Sequence, residues 1–103
     1  MIQAELTVHG STIRSLVISG HAESGEYGSD LICAAASAIA FGICNTLDEL
    51  GSTAECAVKD NRIEILNCPE DIVTQTVMNT ALIQLETLRE GRNQYLDIRK
   101  TEV

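Results

Sequence analysis

Along residues 2–8, apolar and polar side chains alternate, with Ile2, Ala4, Leu6 and Val8 on one side and Gln3, Glu5 and Thr7 on the other. A period of two predicts a strand with one face buried. His9-Gly10-Ser11 reads as a turn. Thr12–Ser19 reads as a second strand, with β-branched Ile13, Val17 and Ile18, so the pair forms a hairpin. The pattern then changes. Asp30 suits a helix N-cap, Leu31 is the first helical residue, and the helix runs to about Leu50, where Gly51 ends it. Its apolar positions, Leu31, Ile32, Ala34, Ala35, Ala38, Ile39, Phe41, Ile43 and Leu47, go nearly all the way round. Such a helix is covered on most sides, and in a small domain part of the cover is expected from a second subunit.

Thr53–Val58 and Arg62–Leu66 flank Lys59-Asp60-Asn61 and predict a second hairpin. Pro69 is expected in the first turn of a second helix, with Glu70 and Asp71 favourable to its dipole. Val73, Val77, Ala81, Leu85 and Leu88 form one apolar stripe, and Gly91 stops the helix. Gln94–Arg99 alternate as a last strand, with Leu96 and Ile98 inward. The order is ββαββαβ. Residues 1–103 are expected to form a single α+β domain, with two helices packed on a mixed or antiparallel sheet.

Composition sharpens this picture in two ways. Hydrophobic residues are 45% but aromatics only 3%, so aliphatic side chains and alanine must fill the interior. The uncharged run from Leu31 to Leu47 is interrupted by Ser37, Gly42, Asn45 and Thr46, which suits a buried helix better than a membrane span. The N-terminus lacks a basic region followed by an apolar core, so no signal peptide is expected and the cytoplasm is the expected location.

The net charge is −8, and residues 1–51 hold one basic residue, Arg14, against six acids. Phosphate neutralisation needs clustered Lys and Arg, so direct nucleic-acid binding is not expected. An acidic surface suits a basic partner or simply maintains solubility. The four cysteines, at 33, 44, 56 and 68, are expected as reduced thiols. No C-x-x-C pair exists, and His9 and His21 lack paired-ligand spacing. Neither a metal nor another cofactor is expected.

The chemistry concentrates in GHAESGEYGSDLICAAAS, residues 20–37. A cysteine reacts as its thiolate, which a helix N-terminus stabilises through free N–H groups and the macrodipole. With Asp30 as cap, Cys33 occupies that first turn. The imidazole of His21, at the end of the second strand, is placed to take the thiol proton and return it to a leaving group. The connection Ala22–Ser29 allows strand end and helix start to lie side by side. Helix-end N–H groups, with the Ser37 hydroxyl one turn on, are candidate oxyanion donors. Asp30 either caps the helix or orients His21. The loop Glu23-Ser24-Gly25-Glu26-Tyr27-Gly28 reads either as a lid over the site or as a plain connector. Cys44 and Cys56 read as core residues. Cys68, before Pro69, is the rival nucleophile, with no histidine near it in sequence.

Gly20-His21-Ala22, then Gly28-Ser29-Asp30, then Cys33-Ala34-Ala35-Ala36-Ser37 resemble the ribosomal-processing cysteine protease family of bacteria. The resemblance spans the whole chain and implies a cytoplasmic, dimeric endopeptidase. Its substrate would be large-subunit ribosomal protein twenty-seven, from which the family removes a short N-terminal extension ending in an apolar, Phe-containing segment. It implies His21 as catalytic histidine and Cys33 as nucleophile, with Gly20, Asp30 and Ser37 supporting them. It further implies that the segment holding Glu23, Gly25, Glu26, Tyr27 and Gly28 is a substrate-ordered loop. The family often has valine where Ala36 stands, a small departure at a packing position. A non-catalytic acidic module that binds a basic ribosomal protein and a small thiol esterase are the alternatives.

Overall fold

The computed structural model describes residues 1–20 and 27–103, with side chains throughout except at residues 27–30. Its elements follow the order β1 (Ile2–His9), β2 (Thr12–Ser19), α1 (Tyr27–Glu49), β3 (Glu55–Lys59), β4 (Arg62–Leu66), α2 (Ile72–Arg89) and β5 (Leu96–Glu102). The expected ββαββαβ order is therefore present. The five strands form one sheet in the order β3-β4-β2-β1-β5. All neighbours are antiparallel except β1 and β5, whose parallel ladder pairs Ile2 with Leu96 and Val8 with Glu102, so the sheet is mixed.

Alternation does in the sheet what it predicts in the sequence. Ile2, Ala4 and Leu6 of β1 are buried, as are Ile13, Leu16 and Ile18 of β2 and Ile63 and Ile65 of β4. The helices cover these residues with Ile32, Ala36, Ala40, Ile43 and Leu47 from α1 and Val77, Met78, Ala81, Leu82 and Leu85 from α2. Alanines at the centre of α1 allow close backbone approach. Ala36 is almost fully buried, which makes it the packing position expected. By length and composition, Leu31–Glu49 is apolar enough to cross a membrane, but here its buried stripe is part of the domain's own core. Among the described residues, part of α1 stays open: Leu31 is 52% and Phe41 45% exposed.

Several boundaries differ from those read along the chain. Helix α1 begins at Tyr27, so Asp30 lies inside its first turn and is not the N-cap. Cap propensity and the onset of apolar residues both marked Asp30, but a helix extends through polar residues wherever tertiary packing favours it. Helix α2 starts later than Pro69. Its N-cap is Asp71, whose carboxylate accepts a hydrogen bond from the Thr74 N–H at 2.9 Å. The buried stripe of α2 runs through Thr74 rather than Val73, which is exposed. Strand β3 begins at Glu55, not Thr53, because Glu55–Leu66 is the last pair of its ladder and Asn67 then turns into the left-handed region. Strand β5 begins at Leu96, after a turn in which Tyr95 N–H donates to the Arg92 carbonyl, and continues to Glu102. The ladder with β1 carries it past the end of its own alternation.

The C-terminus of α1 has the expected glycine stop. Gly51 has φ +75°, its N–H donates to Asp48 O, and Ser52 N–H donates to Leu47 O. This pair of bonds is a Schellman motif, which satisfies carbonyls that the helix end leaves free. The Ser52 hydroxyl then meets the hydroxyl of fully buried Thr74 at 2.6 Å, linking the end of α1 to the start of α2.

Candidate active site

Cys33 lies on α1 and is half-buried against the core. Ser37 follows one turn later on the same face, also half-buried. Both line a cleft of about 230 Å³. Ile18 and Gly20 at the end of β2 form another part of its wall, and Phe41 extends it along α1. The β3–β4 hairpin completes it with Val58, Lys59, Asn61, Arg62 and Ile63. Apolar side chains thus sit beside the Cys33 sulfur, with two cationic residues at the hairpin side.

Gly20 is held in place by its surroundings. Its N–H donates to the Asn61 carbonyl at 3.2 Å, and its φ is +84°. A Cβ there would stand 2.5 Å from the Met1 carbonyl oxygen. Only glycine meets both demands, the left-handed backbone and the close approach of another chain segment. The residue directly before His21 is therefore fixed on the wall of the cleft that holds Cys33.

His21, Glu23, Gly25 and Glu26 lie outside the described residues. Tyr27, Gly28 and Asp30 lie in the first turn of α1, so the segment read as a loop up to Gly28 is helical in its last part. Cys33 is consequently in the second turn, not the first. Its N–H falls within the run of i→i−4 helical bonds, and the free N–H groups of the helix end lie nearer Tyr27. The expected stabilisation of a Cys33 thiolate by first-turn N–H groups, and their use as oxyanion donors from that position, do not hold in this geometry.

The rival nucleophile fares worse. Cys68 is almost fully buried, and burial, with a smaller contribution from neighbouring Cys56, pushes its thiol up to about 11. It neither faces solvent nor ionises near neutral pH. His9, read as a turn residue, ends β1, and its Nδ1 lies 2.9 Å from the Val103 carbonyl. Among the described residues, no group of three or more His, Cys, Asp or Glu is arranged to hold a metal ion.

The hairpin side of the cleft was not visible in the sequence. Lys59 and Arg62 both pair with Glu64, at 3.0 and 2.8 Å. The Lys59 contact, followed by that from Arg62, holds the Glu64 carboxyl below its usual range. Nothing in the local pattern joins this hairpin to α1. The sheet order does so by placing β4 beside β2 and so bringing Asn61 to Gly20.

A family model for the cysteine protease Prp matches residues 1–97. This chain belongs to the Prp family of cysteine proteases. The ribosomal processing cysteine protease Prp of Staphylococcus aureus is 33% identical over 102 residues, covering 91% of this chain and 93% of that protein. Two crystal structures of Prp from S. aureus share the fold. One holds a covalently linked product peptide, with a TM-score of 0.87 and 28% identity over 98% of this chain and all of that one. The other holds a substrate peptide, with a TM-score of 0.89 and 27% identity over the same shares. Membership of the Prp family makes this chain a cysteine protease, and its mixed-sheet ββαββαβ fold is the Prp fold.

Proposed function

We propose that this protein cleaves a short N-terminal extension from large-subunit ribosomal protein twenty-seven, with Cys33 as nucleophile and His21 as its base. One observation carries the assignment: Gly20, the residue before His21, and Cys33 line the same cleft. The imidazole takes the thiol proton, and the thiolate attacks the scissile carbonyl carbon. The imidazolium then protonates the departing amine, leaving an acyl-enzyme thioester that water hydrolyses. Ser37, in the same cleft one turn beyond Cys33, offers its hydroxyl to the developing oxyanion. With Cys33 away from the helix end, the imidazolium is the main partner of the thiolate.

Substrate choice follows from charge and shape. Ribosomal proteins are basic, and this chain carries a net charge of −8. Phe41, Val58 and Ile63 offer an apolar surface to a Phe-containing segment. Glu23 and Glu26 attract the basic part. Asp30 supports the site from the first turn of α1. The reaction takes place in the cytoplasm, without a cofactor, nucleic acid or membrane. The S. aureus relative is named for ribosomal processing, which supports a ribosomal substrate.

The protein acts as a homodimer. A groove of about 460 Å³ runs between α1 and α2, walled by Ala38, Gly42, Thr46, Val77, Thr80 and Gln84 among others. Leu31 and Ile83 lie nearby on the same helices, 52% and 60% exposed. Small residues and exposed aliphatic side chains on one face suit a second copy of the chain. Light scattering of the purified protein should give twice the chain mass, and a monomer at micromolar concentration would refute dimerisation.

The central test is cleavage of a peptide spanning the extension and mature start of that ribosomal protein, taken from the same genome. Mass spectrometry should show one cut by the wild type and none by Cys33→Ser or His21→Ala. Continued processing by Cys33→Ser would overturn the nucleophile assignment. Retained peptide binding by the same variant would show that its fold is intact.

A further inference from the structure

Three cysteines remain outside the cleft chemistry, and two of them line one gap. Cys56 pairs in register with Ile65, which is buried under the helices. Directly paired residues of a ladder share a face, so the Cys56 side chain is on the helix side of β3. Cys44 lies on α1 and packs against the core. Cys44 and Cys56 wall one gap of about 290 Å³, together with Leu47, Ser52 and Ala54. The two cysteines thus face one gap from different elements, with Cys56 close enough to bear on the ionisation of Cys44.

We propose that Cys44 and Cys56 form a peroxide-oxidisable dithiol, a second reactive thiol site distinct from Cys33. Exposure decides the order of events. Cys56 is exposed, whereas Cys44 is half-buried. Burial, and then the neighbouring Cys56, pushes the Cys44 thiol up to about 12, so Cys44 is not the first to react. The Cys56 sulfur attacks a peroxide oxygen and the O–O bond breaks. Cys56 is oxidised to the sulfenic acid and hydrogen peroxide is reduced to water. The Cys44 sulfur then bonds to the Cys56 sulfur, and the S–O bond breaks. The leaving oxygen takes the Cys44 proton and departs as a second water.

The bond joins α1 to β3. Those two elements also wall the Cys33 cleft, through Phe41 one turn before Cys44 and Val58 two residues after Cys56. Oxidation therefore ties together the two sides of the cleft. This consequence rests on the cleft being the peptide site, whereas the dithiol chemistry does not.

The test uses Cys33→Ser protein, so that its outcome is independent of proteolysis. Reduced protein is treated with hydrogen peroxide and followed by intact mass and peptide mapping. The expected result is the loss of two hydrogens and a Cys44–Cys56 linked peptide, with melting raised by several degrees. A further Cys56→Ser change abolishes both. A further Cys44→Ala change leaves Cys56 trapped as a dimedone adduct. A Cys56–Cys68 bond, or Cys56 advancing to the sulfinic acid while Cys44 stays reduced, would overturn the proposal.

Discussion

Gly20 and Cys33 face the same cleft from different elements, one at the end of β2 and the other in the second turn of α1. Gly20 is pinned from two sides, by the Asn61 carbonyl that accepts its N–H and by the Met1 carbonyl at its Cα. Gly20→Ala combines a clash with backbone and a positive φ. It should lower stability by about 1–3 kcal/mol, read as a drop in denaturant midpoint. Activity at a temperature where the variant remains folded should fall as well, because His21 follows directly. Wild-type stability in this variant would show that the Met1 strand end gives way freely.

Phe41 offers a way to separate binding from folding. It is 45% exposed, so truncation removes little of the core. Phe41→Ala should lower kcat/KM for the ribosomal peptide by about tenfold and barely move the melting temperature. An unchanged kcat/KM would remove Phe41 from the peptide site.

Gln75 stands in for a strand. Its Oε1 accepts the Ile13 N–H at 2.8 Å, and its Nε2 donates to the Ile13 carbonyl at 2.9 Å and the Pro69 carbonyl at 2.8 Å. The ladder between β2 and β4 begins only at Leu16, so Ile13 has no strand partner on that side. Gln75→Leu keeps the bulk but leaves part-buried backbone groups unpaired. It should cost about 2 kcal/mol in chemical denaturation. A neutral result would mean that water replaces the amide.

Asp71 gives a pH signature. Its N-cap hydrogen bond from Thr74 holds its carboxyl below the usual carboxylate range. A lowered folded pKa means that folding favours the ionised form. Its stabilisation is present above the unfolded value, about 3.9 for Asp, and is lost as pH falls through the lower folded value. Asp71→Ala should melt a few degrees lower than wild type at pH 7, with the gap narrowing steadily below about pH 4. A gap that stays constant down to pH 2 would remove the ionised cap as its cause.

Local pattern alone determined a good deal of this protein. The alternation of Ile2, Ala4 and Leu6, the exact span Thr12–Ser19, the strand Arg62–Leu66 and the helix stop at Gly51 are all present as read. Each depends on neighbours a few residues away, and so does the motif that marks Cys33 and Ser37. Helix starts were less legible. Cap propensity is worth only about 1 kcal/mol, and packing over a whole helix outweighed it at α1, whose start moved back to Tyr27, whereas at α2 the Asp71 cap rather than Pro69 sets the start at Ile72. The hairpin residues Val58, Asn61 and Arg62 in the cleft, the gap shared by Cys44 and Cys56, and the pairing of Gln75 with Ile13 left no trace in any local stretch. They exist because the sheet runs β3-β4-β2-β1-β5 and the helices lie across it. Strand order is set by the joint burial of distant faces, a property of the whole chain that no single segment carries.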